Sequence, residues 1–225
     1  MTSRPVKRNT DRAAPRRTYH SPKREQASLE TRRRIRDSAE ALFLRDGYFR
    51  TTTKAIAKHA GVAEMTVFLA FSNKPTLLSE IIRVKVRGDD QDTPMAARDT
   101  WQEMLSAPPG EILPRFAALN GEILARTAPI LALAESAATA DAELAARRDS
   151  SHAHIRGDFQ QVADALAKNG RLAPGITADR AGDTIYALAS PSTYLLLTDE
   201  CRWSKPQYVR WLATTLQTTL TDNTS

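Results

Sequence analysis

The chain has 225 residues, 41% of them hydrophobic, which is enough for a buried core in one large or two modest domains and excludes wholesale disorder. Lys and Arg total 32 against 26 Asp and Glu, for a formal charge of +6, and the excess is confined to one end: residues 1–36 hold 12 basic side chains against Asp11, Glu25 and Glu30. One cysteine, Cys201, excludes an intrachain disulfide and any multi-cysteine metal centre, and no uninterrupted apolar run reaches the roughly 20 residues of a bilayer span, so the expectation is a cytoplasmic protein with no membrane partner.

Residues 1–27 are polar and basic, contain three prolines, and have too few large apolar side chains to offset the entropy of ordering, so they read as a flexible basic arm. From Leu29 the pattern turns helical, with Ile35, Ala39, Leu42 and Phe43 on one face and Gly47 closing the helix after Asp46. Thr52 is placed to cap a short second helix containing Ile56 and Ala57, which Gly61 ends. AEMTVFLAF forms a further short helix, and Ser72 or Asn73 caps a longer one, with Pro75 in its first turn and Leu77, Leu78, Ile81 and Ile82 as anchors.

Beyond Gly88 strand signals are scarce. The spacing predicts helices over 94–106, 111–126, 129–138 and 141–168, then a stretch over 178–199 bent at Pro191, and a last helix capped by Ser204 with Gln207 three residues later. The expected class is all-α: a three-helix bundle with a helix-turn-helix motif over 28–83, a larger helical domain over 84–220, and a tail over 221–225.

Thr52–Phe71 is the sharpest local feature. Two short helices around the AGVA turn set the second across the first, and such a helix fits the major groove of double-stranded DNA. Arg32, Arg33 and Arg34 at the start of the preceding helix suit phosphates. From spacing alone, plain helical packing remains the alternative.

GYFRTTTKAIAKHAGVAEMTVFLAFSNKPTLLSEII closely resembles the DNA-binding segment of TetR-family transcriptional regulators, over residues 30–83. The resemblance implies a homodimer, commonly a repressor, that is released from a palindromic operator by a small-molecule effector in the carboxy-terminal domain. It implies that Glu64, Met65, Phe68, Leu69 and Ala70 face or border the groove, and that Thr52, Thr66 and Lys74 lie on the phosphate side. Glu64 can accept from cytosine N4, and Met65 can touch a thymine methyl. Three departures stand out: Ala63 replaces a common serine cap, Phe68 a common tyrosine, and Ala70 a usually larger side chain. They alter individual contacts more than the fold, and shift affinity toward the arginine-rich arm, which can enter a minor groove.

Trp101, Met104, Leu105, Phe116, Leu119, Asn120 and Ile123 are candidates for lining an effector cavity suited to an apolar or aromatic molecule, with ordinary core packing as the alternative. Two strongly apolar terminal helices point to a helix-pair dimer interface formed by Ile185, Leu188, Tyr194, Leu195, Val209, Leu212, Leu216 and Leu220. No catalytic, cofactor or metal-ligand motif is present in the sequence, so an enzyme is not expected. The remaining functional alternative is a nonspecific architectural or adaptor protein that binds DNA through its basic arm.

Overall fold

Ile35, Ala39, Leu42 and Phe43 recur at helical spacing, and in the computed structural model, which describes residues 22–222, they are buried along the inner face of the first helix, α1 (Pro22–Asp46). The helix begins earlier than expected. Residues 22–27 form its first turns instead of belonging to the arm, since proline is tolerated where no intrahelical N–H is needed and Glu25 suits the positive end of the helix dipole. The rest of the expected arm, residues 1–21, and residues 223–225 of the expected tail lie outside the described residues.

α2 (Thr53–Ala60), α3 (Glu64–Phe71) and α4 (Lys74–Arg87) follow with short connections. The helix expected over 94–106 is divided: a 3-10 turn, Met95–Ala97, is separated from α5 (Asp99–Leu105) by Arg98, whose backbone is extended. The two helices expected over 111–126 and 129–138 are one continuous helix, α6 (Ile112–Ala138), with Pro129 inside it. An interior proline costs about 3 kcal/mol. Here Ala128 and Ile130 are buried on either side of an exposed ring, so packing holds the helix through the missing hydrogen bond.

α7 (Ala142–Lys168) is capped by Asp141, whose carboxylate accepts from the Leu144 N–H at 3.0 Å. α8 (Ala178–Leu188) and α9 (Pro191–Leu195) break apart at Ser190, which precedes a proline and is extended, and a π-turn over Leu196–Glu200 ends that region. α10 (Lys205–Leu220) starts with the Ser204 N–H donating to Gln207 Oε1 at 2.8 Å. Among the described residues no strand forms. A single antiparallel bridge joins Leu172 to Thr221.

Two hydrophobic cores organise these helices. The larger lies among α5–α10, with Trp101, Phe116 and Phe159 stacked edge to face at ring separations of 6.5 and 5.1 Å. The smaller gathers α1–α4 around Ile35, Phe43, Ile56, Leu77 and Leu78, and it also takes in Ile130, Ala137 and Ala138 of α6 and Leu144 of α7. The boundary expected after residue 83 is thus crossed by the core beneath it. α6 is long and apolar enough by composition to cross a bilayer, yet it is the central core helix, packed by α4, α7, α9 and α10.

These cores correct two site expectations. Ile185, Leu212, Leu216 and Leu220 are fully buried within the protomer and Tyr194 nearly so, so they fill the chain's own interior; of the expected dimer residues only Leu188, Leu195 and Val209 retain partial exposure. Trp101, Met104 and Phe116 likewise pack the interior instead of lining a hollow. The buried Asn120 amide donates to the Ala189 carbonyl at 3.3 Å and to the Tyr208 hydroxyl at 3.0 Å. Leu105 and Ile123 are partly buried, and Met104 and Leu119 border a shallow surface depression of about 170 Å³.

α6 and α10 approach closely at Gly121, where an added Cβ would stand 2.5 Å from Val209 Cγ2. Gly121→Ala should therefore lower stability by about 1–3 kcal/mol in urea titration. Combining it with Val209→Ala should recover part of that loss, because the second change removes the clashing methyl groups.

Candidate nucleic-acid interface

The α2–α3 unit is built by short-range bonds that its sequence supplies. Thr52 Oγ1 accepts from the Ala55 N–H at 3.1 Å and caps α2. Gly61 ends the helix in the left-handed region at φ 66, where a side chain would be strained, and the Val62 N–H returns to the Ala57 carbonyl at 3.0 Å. α3 then starts at Ala63, which is extended and makes no side-chain cap, as the replacement of a serine implies. The Thr53 hydroxyl donates to Glu64 Oε1 at 2.7 Å, tying the first residue of α2 to the first of α3 without capping α3's free N–H groups.

α3 has two faces. Val67 and Phe71 are buried in the smaller core, whereas Met65, Phe68 and Leu69 are 64%, 62% and 78% exposed. Residues 65, 68 and 69 share one side of a helix, so the outward face is a continuous apolar strip. Glu64 is exposed as well, while Thr66 and Ala70 are half-buried beside it. Large apolar side chains standing free in a small motif mark an interaction surface.

The cations divide into two groups. Arg33, Arg34, Lys54 and Lys58 are exposed, Arg33 in loose contact with Glu30 at 3.5 Å. Arg32 and Lys74, expected to grip phosphates, are half-buried and bonded to the chain's own carbonyls. Arg32 donates to the Ala70 carbonyl and lies 4.4 Å from the centre of the Phe71 ring, so it fastens the end of α3 to α1. The Lys74 ammonium donates to the Tyr48 and Thr51 carbonyls at 2.9 and 3.1 Å and sits 4.1 Å from the Tyr48 ring centre. Partial burial lowers its pKa, with Asp141 acting in the opposite direction. Both act as struts because unsatisfied carbonyls and aromatic faces lie within their reach.

Thr51 is buried beneath this loop, its hydroxyl within bonding distance of the Leu42 carbonyl at 3.2 Å and the Gly47 carbonyl at 2.9 Å. Burial raises the Tyr48 phenol above its ordinary pKa, reinforced by Asp141 and Glu143. Thr53, Lys54 and Lys58 were not singled out from the sequence. The lysines could have been found as the wet side of α2, opposite Ile56, Ala57 and Ala60, whereas the Thr53–Glu64 bond depends on the angle between two helices.

A small helical unit holding a short second helix with its outer face free, on a larger all-helical body, is a helix-turn-helix arrangement. Residues 35–81 match the model of the bacterial regulatory proteins of the tetR family. Over 52 residues the chain is 44% identical to an uncharacterized HTH-type transcriptional regulator, YvkB, of Bacillus subtilis (strain 168); that match covers 23% of this chain and 28% of the relative's length. NalD, the secondary repressor of the MexAB-OprM multidrug efflux pump in Pseudomonas aeruginosa, has a similar fold at 21% identity and a TM-score of 0.64, covering 88% of this chain and 99% of NalD. A putative transcriptional regulator from Saccharomonospora viridis, solved with choline, is 18% identical with a TM-score of 0.65, over 87% of this chain and all of that one. Residues 35–81 are thus similar to the segment that the tetR family of bacterial regulatory proteins shares, and the chain spans 28% of the length of the curated relative it matches.

Because Lys74 closes the 48–51 loop, Lys74→Ala should lower unfolding stability by about 1 kcal/mol or more, and Thr51→Val by about 1–3 kcal/mol. Chemical denaturation in the absence of DNA checks both. A Lys74→Ala variant of unchanged stability would show that its two bonds contribute nothing.

Proposed function

We propose that the protein is a sequence-specific transcriptional regulator that binds double-stranded DNA through α2 and α3 as a homodimer, acts chiefly as a repressor in the cytoplasm, and is released from its operator by a small molecule. The observation that carries the reading is the outward strip of α3, Met65, Phe68 and Leu69, held in place by the buried Val67 and Phe71. Exposed Arg33, Arg34, Lys54 and Lys58 supply the cationic surroundings that attract phosphate. Two such heads in a dimer, one helical turn of DNA apart, call for an approximately palindromic site.

The partly exposed Leu188, Leu195 and Val209, with the exposed Leu196 nearby in sequence, support dimerisation through the carboxy-terminal helices. Effector release draws support from the choline-bound relative of the same fold and from the direct packing of α4 on α6. The Arg126 guanidinium on α6 donates to the Lys85 and Val86 carbonyls at the end of α4, the latter at 2.8 Å, so a ligand that moves α6 acts on the DNA-reading unit. With Trp101 and Phe116 packed edge to face, a ligand must favour a rearranged interior, and the coupling is the difference in its affinity for the two arrangements.

Competition between a selected palindrome and random duplex tests the central claim. The regulator binds the palindrome far more tightly, whereas a nonspecific basic-arm protein binds both equally. Lys54→Ala and Lys58→Ala should each weaken binding to every sequence and reduce the slope of log affinity against log salt by about 1. Sedimentation at micromolar concentration should give a species twice the 24.9 kDa chain mass.

A further inference from the structure

The outward face of α3 carries none of the side chains that usually read bases by paired hydrogen bonds. Its sequence, EMTVFLAF, has no Arg, Lys, Asn or Gln. The carboxylate of Glu64 is engaged by the Thr53 hydroxyl at 2.7 Å, and Thr66 is half-buried. Arg32, which reaches the end of α3 from α1, is consumed by the Ala70 carbonyl and the Phe71 ring. What remains is Met65, Phe68 and Leu69, a thioether, a ring and an isobutyl group aligned on one face.

In the major groove of B-form DNA the one apolar group a base pair offers is the C5-methyl of thymine. Exposed cations stand on α1 and α2, the helices that reach α3 through Arg32 and Thr53, so the occupant that fits is a polyanion with apolar spots, which distinguishes it from an apolar protein partner. We infer that the operator half-sites present thymine methyl groups to α3, and that Met65, Phe68 and Leu69 choose the sequence by burying those methyls, with Glu64 held by Thr53 in a supporting role. The inference rests on the proposed DNA-binding function and names the chemistry of its target.

The test uses the full chain and duplexes selected from random double-stranded DNA. Replacing thymines of the selected half-sites by deoxyuridine deletes the C5-methyl and leaves every hydrogen-bonding edge intact. The expected loss is about fourfold per methyl removed, the value of burying one such group, and about tenfold or more when both half-sites are changed. Affinity for random duplex stays constant. Met65→Ala and Leu69→Ala should bind the thymine duplex more weakly and lose sensitivity to deoxyuridine; both residues are exposed, so the thermal midpoint of the free protein should not move. Undiminished affinity for the deoxyuridine duplex, or selected half-sites specified by guanine, would overturn the inference while leaving the regulator reading in place. Failure to select any preferred sequence would instead overturn that reading.

Discussion

An eight-residue helix cannot hold its shape or direction alone, because the cost of nucleating it exceeds what so few hydrogen bonds return. α3 therefore depends on the insertion of Val67 and Phe71 into the core beneath α1 and α4. That insertion fixes the rotation of the helix about its axis, and the rotation decides which residues stand outside. Arg32 and Lys74 complete the arrangement, one holding the end of α3, the other closing the loop ahead of α2. The burial of two side chains is thereby converted into the presentation of three others.

The α1–α4 unit is not independent of the body. Its core is finished by Ile130, Ala137 and Ala138 of α6 and Leu144 of α7, and Arg147 reaches from α7 to the Ser79 and Thr76 hydroxyls of α4 at 3.3 and 3.1 Å. Arg126 supplies donors to the last carbonyls of α4, groups that a helix leaves without partners. Apolar and polar contacts thus cross the same seam, and a change in the body is felt by α4 before it reaches α3.

Much of the motif was legible in the sequence because its signals are local. Thr52 as a cap, Gly61 as a stop and Asn73 as a cap are short-range rules, and all three hold here. Helical spacing likewise separated Ile35, Ala39 and Phe43 from their wet neighbours. Spacing failed where the choice lay between two kinds of burial. Leu212, Leu216 and Leu220 form a clean apolar stripe, and periodicity alone does not tell a stripe facing the protomer's own core from one facing a partner. Trp101 and Phe116 were legible as interior residues, but whether they frame a hollow or fill it depends on Phe159, 43 residues beyond Phe116 in the chain. For Lys74 and Arg32 the charge was visible, while the carbonyls that consume it come from distant turns.

Pro129 stands at a particular place in α6. Up to Ala128 the buried side chains of that helix belong to the larger core, and from Ile130 onward they belong to the smaller one. The proline has no N–H to continue the hydrogen-bond ladder, so the helix is softest against bending where it passes from one core to the other. Each half of α6 is thus clamped by its own set of side chains, and the one rung missing from its hydrogen-bond ladder falls at the junction between them.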